Sequence, residues 1–180
     1  MQFERTELPG VFVVESESTP DERGWFMRTF CAEEFAAAGL EPVVAQTSVS
    51  FNTLAGTLRG MHWQAEPFGE HKLVRCSQGR LFDVAVDVRR DSATFGRWIS
   101  IELSASGGRS LYLSPLIAHG FVTLEDSTEV TYSISRAYAP ESARGFRWDD
   151  AAVGIRWPRP PSVLSARDRE WPSLSDASTV

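Results

Sequence analysis

The 180 residues predict an all-β domain, and three observations carry that expectation. Apolar and polar residues alternate with period two in run after run. Turn residues separate those runs at short, regular spacing. Only one stretch, 32–38, has the composition of a helix. Many short strands of this kind imply a sandwich or a barrel, so a closed or nearly closed antiparallel β domain is expected.

Residues 1–16 read as an opening strand or two, broken at Pro9-Gly10 and resumed by Val11-Phe12-Val13-Val14. Residues 18–24 read as a turn from their Pro, Asp and Gly content, placing Arg23 and Phe26 at the lip of the next strand. The helix at 32–38 carries Glu33 and Glu34 in its first turn, and Gly39 stands ready to end it. From about 43 to 136 the pattern is β. Phe82, Val84, Val86 and Val88 share one face of a strand whose other face holds Asp83 and Asp87. Residues 98–103 alternate in the same way. So do 129–134, where Tyr132 joins Val130 and Ile134 on the apolar face. Turn signals stand at Gly79, Asp91-Ser92, Gly107-Gly108 and Pro115. Beyond Pro140 the chain turns irregular and rich in Trp and Pro, as a segment wrapping the barrel should be. One domain over 1–180 is expected, with 140–180 as its wrapping tail.

Composition narrows the function classes. Hydrophobic residues make up 42 % and charged residues 23 %, as in an ordinary soluble globule. A net charge of −6 gives no general footprint for nucleic acid or anionic membranes, though a few local arginines suffice for a phosphate-bearing small molecule. No apolar run approaches the roughly 20 residues a bilayer span needs, and the amino terminus lacks the order of a signal peptide. A cytoplasmic protein is expected, with Cys31 and Cys76 as reduced thiols.

The densest chemistry lies in Gly56-Thr57-Leu58-Arg59-Gly60-Met61-His62-Trp63-Gln64, where a cation, an imidazole and a carboxamide interrupt a strand-like run. Imidazole has the side-chain pKa nearest neutrality, which suits His62 to moving protons, although a hydrogen-bonded core histidine fits the same residues. Lys72, His119 and Tyr132 are further polar groups inside strand-like runs, and alternate residues of a barrel converge on its interior. Lys72 reads equally as a solvated strand-end lysine, and Tyr132 as a core tyrosine with a satisfied hydroxyl. Strict alternation puts Leu58, Gly60, His62 and Gln64 on one face and Arg59 on the other. Only a bulge at Gly60 lets Arg59 and His62 line one cavity.

His62, Glu66, His71 and His119 form an imaginable metal set, but their spacing matches no metal pattern, so no metal is expected. His71, between Glu70 and Lys72, is expected at the surface. Phosphate-loop, dinucleotide and serine-nucleophile motifs are absent from the sequence, and neither cysteine has a neighbouring His or basic cluster to activate it.

Ten blocks, in order, resemble the nucleotide-sugar epimerases typified by dTDP-4-dehydrorhamnose 3,5-epimerase, of the cupin (jelly-roll) fold. They are Arg23-Gly24-Trp25-Phe26, 56–64, Lys72-Leu73-Val74-Arg75, 79–87, Thr94-Phe95-Gly96-Arg97-Trp98, Ala118-His119-Gly120-Phe121, Tyr138-Ala139-Pro140-Glu141, 145–149, Gly154-Ile155-Arg156-Trp157-Pro158 and 164–168.

The resemblance implies a cofactor-free isomerase that inverts carbons beside the C4 ketone of a nucleotide-linked 4-keto-6-deoxy sugar, in deoxysugar and polysaccharide biosynthesis. It implies His62 as the base supported by Asp168, Tyr132 as the proton donor on the opposite face, and Lys72 at the enolate oxygen. It places Arg59 and His119 at the diphosphate and sugar, and Arg23, Phe26, Gln46, Tyr138 and Glu141 at or near the nucleotide. By the same analogy the protein is a homodimer with its amino-terminal strands in the contact. Two positions depart from the family pattern: Arg28 stands where a base-contacting carboxylate is usual, and Ser48 where an amide is usual. The base therefore stays open among dTDP-, UDP-, CDP- and GDP-linked sugars, as does inversion at C3, C5 or both. The rival readings are a nucleotide-sugar ketoisomerase, which needs His62 but not Tyr132, and a sugar-nucleotide-binding cupin without turnover.

Overall fold

In the computed structural model, which describes residues 1–177, strands dominate from end to end. The chain opens with β1 (Gln2–Arg5), β2 (Val11–Glu15), β3 (Ser18–Asp21) and β4 (Gly24–Met27), followed by helix α1 (Ala32–Ala37). Next come β5 (Gln46–Asn52), β6 (Thr57–Gln64), β7 (Lys72–Gln78) and β8 (Arg80–Asp87). Then follow β9 (Trp98–Ser104), β10 (Arg109–Leu113), β11 (Ile117–Thr123) and β12 (Thr128–Ile134). After a 3-10 turn at Pro140–Ser142 the chain ends with β13 (Ala143–Gly145), β14 (Val163–Leu164) and helix α2 (Ala166–Glu170).

Two antiparallel sheets form the jelly roll. One runs β1-β2-β10-β7-β12-β5, the other β13-β6-β11-β8-β9, and β14 adds to β6 in parallel. The turn signals at Gly79, 91–92, 107–108 and 115 all fall between strands. The expected turn at 18–24 is narrower than its composition suggests. Ser18–Asp21 pairs with Gly24–Met27 as a separate ribbon, and Asp21 closes the turn by accepting the Arg23 backbone N–H at 2.8 Å. Proline is tolerated at position 20 because this ribbon has free edges.

Three apolar clusters hold these layers together. Between the sheets, Val74, Leu81, Ala85, Leu111, Phe121 and Val130 pack as the inner core. Outside the first sheet, Phe35 of α1 packs with Leu40, Leu73 and Tyr112. Outside the second, Val84, Val86 and Val88 lie under Phe146, Val153 and Leu174 of the tail. Strand β8 is thus buried on both faces. Its valine face meets the tail, and the face holding Asp83 turns into the barrel. Asp87, wholly buried, takes hydrogen bonds from Arg89, Ser92 and Thr94 and so ties down the following loop. The inner core fills one end of the barrel, and the other end is left open as a cavity.

Candidate active site

The cavity, about 830 Å³, lies between β5, β7 and β12 of one sheet and β6 and β11 of the other. On β5 the period of two sends Gln46, Ser48 and Ser50 inward, while Val49 and Phe51 face out. On β12 the same period brings Tyr132 and Ile134 to the wall. Strand β6 breaks its own period. Opposite β11, His119 pairs with His62 and Phe121 with Arg59, so Gly60 and Met61 together face the single residue Gly120. That extra residue is a bulge, and it turns Arg59 and His62 into one cavity.

Only glycine fits at the bulge. Gly60 has φ +141, and a Cβ there would lie 2.6 Å from Gly120 Cα. A Cβ at Gly120 would lie 2.5 Å from Met61 Sδ. Met61 points outward into the cluster beneath the tail.

His62 Nε2 lies 2.6 Å from Asp168 Oδ1. The carboxylate arrives from the tail. Leu164 pairs with Leu58, Ser165 then caps α2 by accepting the Asp168 N–H at 3.1 Å, and Asp168 is set against the imidazole. Burial works to raise the Asp168 pKa, but hydrogen bonds from His62, Ser165 and the Gly60 N–H outweigh it and hold the carboxyl below its usual range. An ionised carboxylate can only accept, so the shared proton belongs to Nε2, and in the neutral ring the lone pair is on Nδ1. Trp171 flanks His62 at 6.0 Å between ring centroids, lodged where any side chain at Gly145 would collide with it.

A second histidine–carboxylate pair stands beside the first. His119 Nε2 lies 2.6 Å from Asp83 Oδ1, with both side chains buried. Asp83 Oδ2 has no hydrogen-bond partner among the described residues. Tyr132 meets the His119 ring edge-on, with centroids 6.1 Å apart, and its hydroxyl lies 3.4 Å from Ser50 Oγ. Burial pushes the Tyr132 phenol up to about 12, with Asp83 adding to the rise and Ser50 and Arg59 opposing it.

Lys72 is a cavity residue, its Nζ 2.7 Å from Glu70 Oε1. Gln64 donates to the other Glu70 oxygen at 2.9 Å and accepts the Ala139 N–H at 2.7 Å. Gln46 accepts the Tyr138 N–H at 3.1 Å, so two carboxamides hold the mouth segment 138–139. Arg59 is steadied by Asn52 Oδ1 at 2.8 Å. Arg59, Lys72, Arg144 and Arg167 face the cavity against Glu70 and Asp168, a cationic balance suited to a diphosphate.

His62, Asp168, Tyr132, Lys72, Arg59, His119, Gln46 and Tyr138 therefore meet in one cavity. Arg23, Phe26 and Glu141 do not. Arg23 pairs with Asp21 on the exposed ribbon, Phe26 is 73 % exposed there, and Glu141 lies outside the lining. Of the two departing positions, Ser48 lines the cavity, whereas Arg28 pairs with Glu34 away from it. His71 corrects an expectation. It is half-buried, with Nδ1 taking the Tyr112 hydroxyl at 2.6 Å, and burial lowers its pKa. Sequence reasoning missed Asp83, Glu70, Ser50, Arg144 and Arg167. Asp83 alone left a signal, as a carboxylate inside an apolar strand. Both cysteines are free thiols, and burial lifts Cys76 to about 11.

The family model for dTDP-4-dehydrorhamnose 3,5-epimerase matches residues 5–176. A dTDP-4-dehydrorhamnose 3,5-epimerase of Sinorhizobium fredii is 41 % identical over 177 residues, covering 98 % of this chain and 91 % of the relative. The crystal structure of the dTDP-4-dehydrorhamnose 3,5-epimerase from Elizabethkingia anophelis matches with a TM-score of 0.93 at 34 % identity, covering 98 % of this chain and 97 % of that one. ChmJ, a 3'-monoepimerase from Streptomyces bikiniensis solved with dTDP-quinovose, matches with a TM-score of 0.90 at 33 % identity, over 96 % of this chain and 87 % of that one.

Proposed function

The chain belongs to the dTDP-4-dehydrorhamnose 3,5-epimerase family, and on that premise we propose how its cavity divides the work of epimerisation. The protein is an isomerase of a nucleotide-linked 4-keto-6-deoxy sugar. A proton beside the ketone leaves as the C4 oxygen takes up charge, so the site needs a base near neutrality and a donor at that oxygen.

His62 Nδ1 takes the proton. Asp168 fixes the tautomer and stabilises the imidazolium that forms. Lys72 steadies the enolate oxygen. Tyr132 then delivers its proton to the carbon from the opposite side, which inverts the centre. Turnover closes when the imidazolium loses a proton to water and the phenolate regains one. The observation that carries this reading is the 2.6 Å contact of Asp168 with His62, which lines the cavity from one sheet while Tyr132 lines it from the other. A phenol held near 12 stays protonated at neutral pH yet remains acidic enough for an enolate carbon. Arg59 and His119 hold the diphosphate and sugar, with Gln46 and Tyr138 toward the nucleotide.

The assembly we propose is a cytoplasmic homodimer. Val49 and Phe51 leave an apolar face on edge strand β5, and Phe26 is exposed on its ribbon. A second copy that brought Arg23 and Phe26 to this cavity would reconcile their expected nucleotide contact with their distance from their own. Sedimentation should give twice the chain mass, and a monomer with full activity would overturn this assembly.

The activity is tested by deuterium wash-in from heavy water, followed by NMR at C3 and C5 across dTDP-, UDP-, CDP- and GDP-linked 4-keto-6-deoxy sugars. Label at both carbons is the mark of 3,5-epimerisation, and label at one marks a single-carbon epimerase. No label with any of the four would overturn the reading.

A further inference from the structure

Among the described residues, Glu70 is the one carboxylate of the cavity wall that the proposed chemistry leaves without a task. It lies in the loop before β7 and is 8 % exposed, unusual burial for a glutamate. A carboxylate that deep is tolerated when charge and donors match it, and both do. Lys72 Nζ stands 2.7 Å from one oxygen, and the Gln64 amide donates to the other at 2.9 Å. The far end of Gln64 is committed to the Ala139 N–H, so the amide cannot turn away.

A lysine stem has four rotatable bonds, and its ammonium is a mobile point charge unless something holds it. An ammonium has three N–H donors. Glu70 occupies one, which leaves two to face the cavity. We propose that Glu70 is the positioning residue of Lys72, clamping its ammonium against the wall so that the two remaining donors are preorganised for the oxygen on which enolate charge develops. This rests on the assignment of Lys72 to that oxygen. Because such donors act only as charge appears, the clamp should be felt in kcat rather than in KM.

The test is a double-mutant cycle on the full-length protein, read by steady-state kinetics and deuterium wash-in. Glu70→Gln keeps the size but removes the charge and replaces one of the two acceptor oxygens with a donor, so Lys72 and Gln64 can no longer both be accepted. It should lower kcat about tenfold while KM moves less than about threefold. In a Lys72→Met background, where there is nothing left to position, adding Glu70→Gln should change the residual rate by less than about twofold. Lys72→Met should also lower Tm by stranding a buried carboxylate, and adding Glu70→Gln should recover much of that loss. The same factor lost in both backgrounds, or an unchanged kcat with a raised KM, would overturn the proposal. Wild-type kcat in Lys72→Met would instead remove the assignment of Lys72 on which the proposal stands. If Glu70→Gln does not fold, Glu70→Asp serves in the same cycle, because it withdraws the charge by one methylene, and it should slow only the enzyme that retains Lys72.

Discussion

His62 and His119 are register partners on β6 and β11, and each turns Nε2 onto its own carboxylate at 2.6 Å. The two pairs differ in where the carboxylate comes from. Asp83 belongs to β8, which is hydrogen-bonded to β11, so that pair is built into the sheet. Asp168 belongs to the tail, and reaches His62 only after β14 has docked on β6 and Ser165 has capped α2. The pair proposed for proton abstraction therefore depends on a segment more than 100 residues downstream, and His119 does not.

That dependence gives the first prediction. Asp168→Asn should slow wash-in at every labelled carbon by about 10³–10⁴-fold, since an amide can donate to Nε2 and impose the wrong tautomer. Wild-type rates in this variant would remove the dyad from the mechanism. A pH dependence accompanies it. Asp168 is held below the usual range by His62, Ser165 and Gly60 against the opposing effect of burial. A lowered folded-state pKa contributes stability in full above the ordinary aspartate value of about 3.9, and that contribution fades as pH falls through the folded value. Wild type and Asp168→Asn should thus differ in Tm above about pH 5 and converge in more acid solution.

Tyr132→Phe separates abstraction from inversion. Deuterium should still enter the substrate, while formation of the inverted product falls by about 10²-fold or more. With its phenol near 12, Tyr132 should add no alkaline limb to kcat/KM below about pH 10. Inversion at the wild-type rate would exclude Tyr132 as the donor.

Asp83→Asn probes the second pair. The change leaves His119 in place but removes its buried anion, so kcat/KM should fall by about 10–10²-fold. It should also lower the pH at which Tyr132 ionises in a spectroscopic titration, because Asp83 contributes to holding that phenol up. No movement of either quantity would reduce Asp83 to a packing residue.

The β segments were legible because solvent and core impose period two on any half-buried strand, and Val130 and Ile134 are buried accordingly, with Tyr132 between them turned to the cavity. His62 was visible as an imidazole in an apolar run. Lys72 was ambiguous, because its partner Glu70 sits in a loop whose composition looks exposed. The same loop misled the placement of His71, which Tyr112 draws inward from a distant strand. Asp168 entered through family resemblance alone, since nothing in 164–168 announces that it will meet β6. Asp83 looked like the polar face of a strand. It is instead the barrel-facing side of one buried twice, and only the tail covering the valine face reveals that.

Parity on β6 is the question that alternation could not answer, and Gly60 carries the answer. A methyl group at this position meets Gly120 Cα at 2.6 Å, which is backbone and cannot swing aside, and φ +141 is itself strained for any residue with a Cβ. Gly60→Ala should therefore destabilise the fold by about 2–4 kcal/mol. The damage should not stop at stability. If the strand relieves the clash by ironing out the bulge, strict alternation returns and Arg59 and His62 can no longer share the cavity. The folded fraction of Gly60→Ala should then lose wash-in far more than an equally destabilising change in the outer apolar cluster, such as Val153→Ala. Comparing the two at matched Tm isolates the geometric effect, and equal rates per folded molecule would show that the bulge serves packing alone.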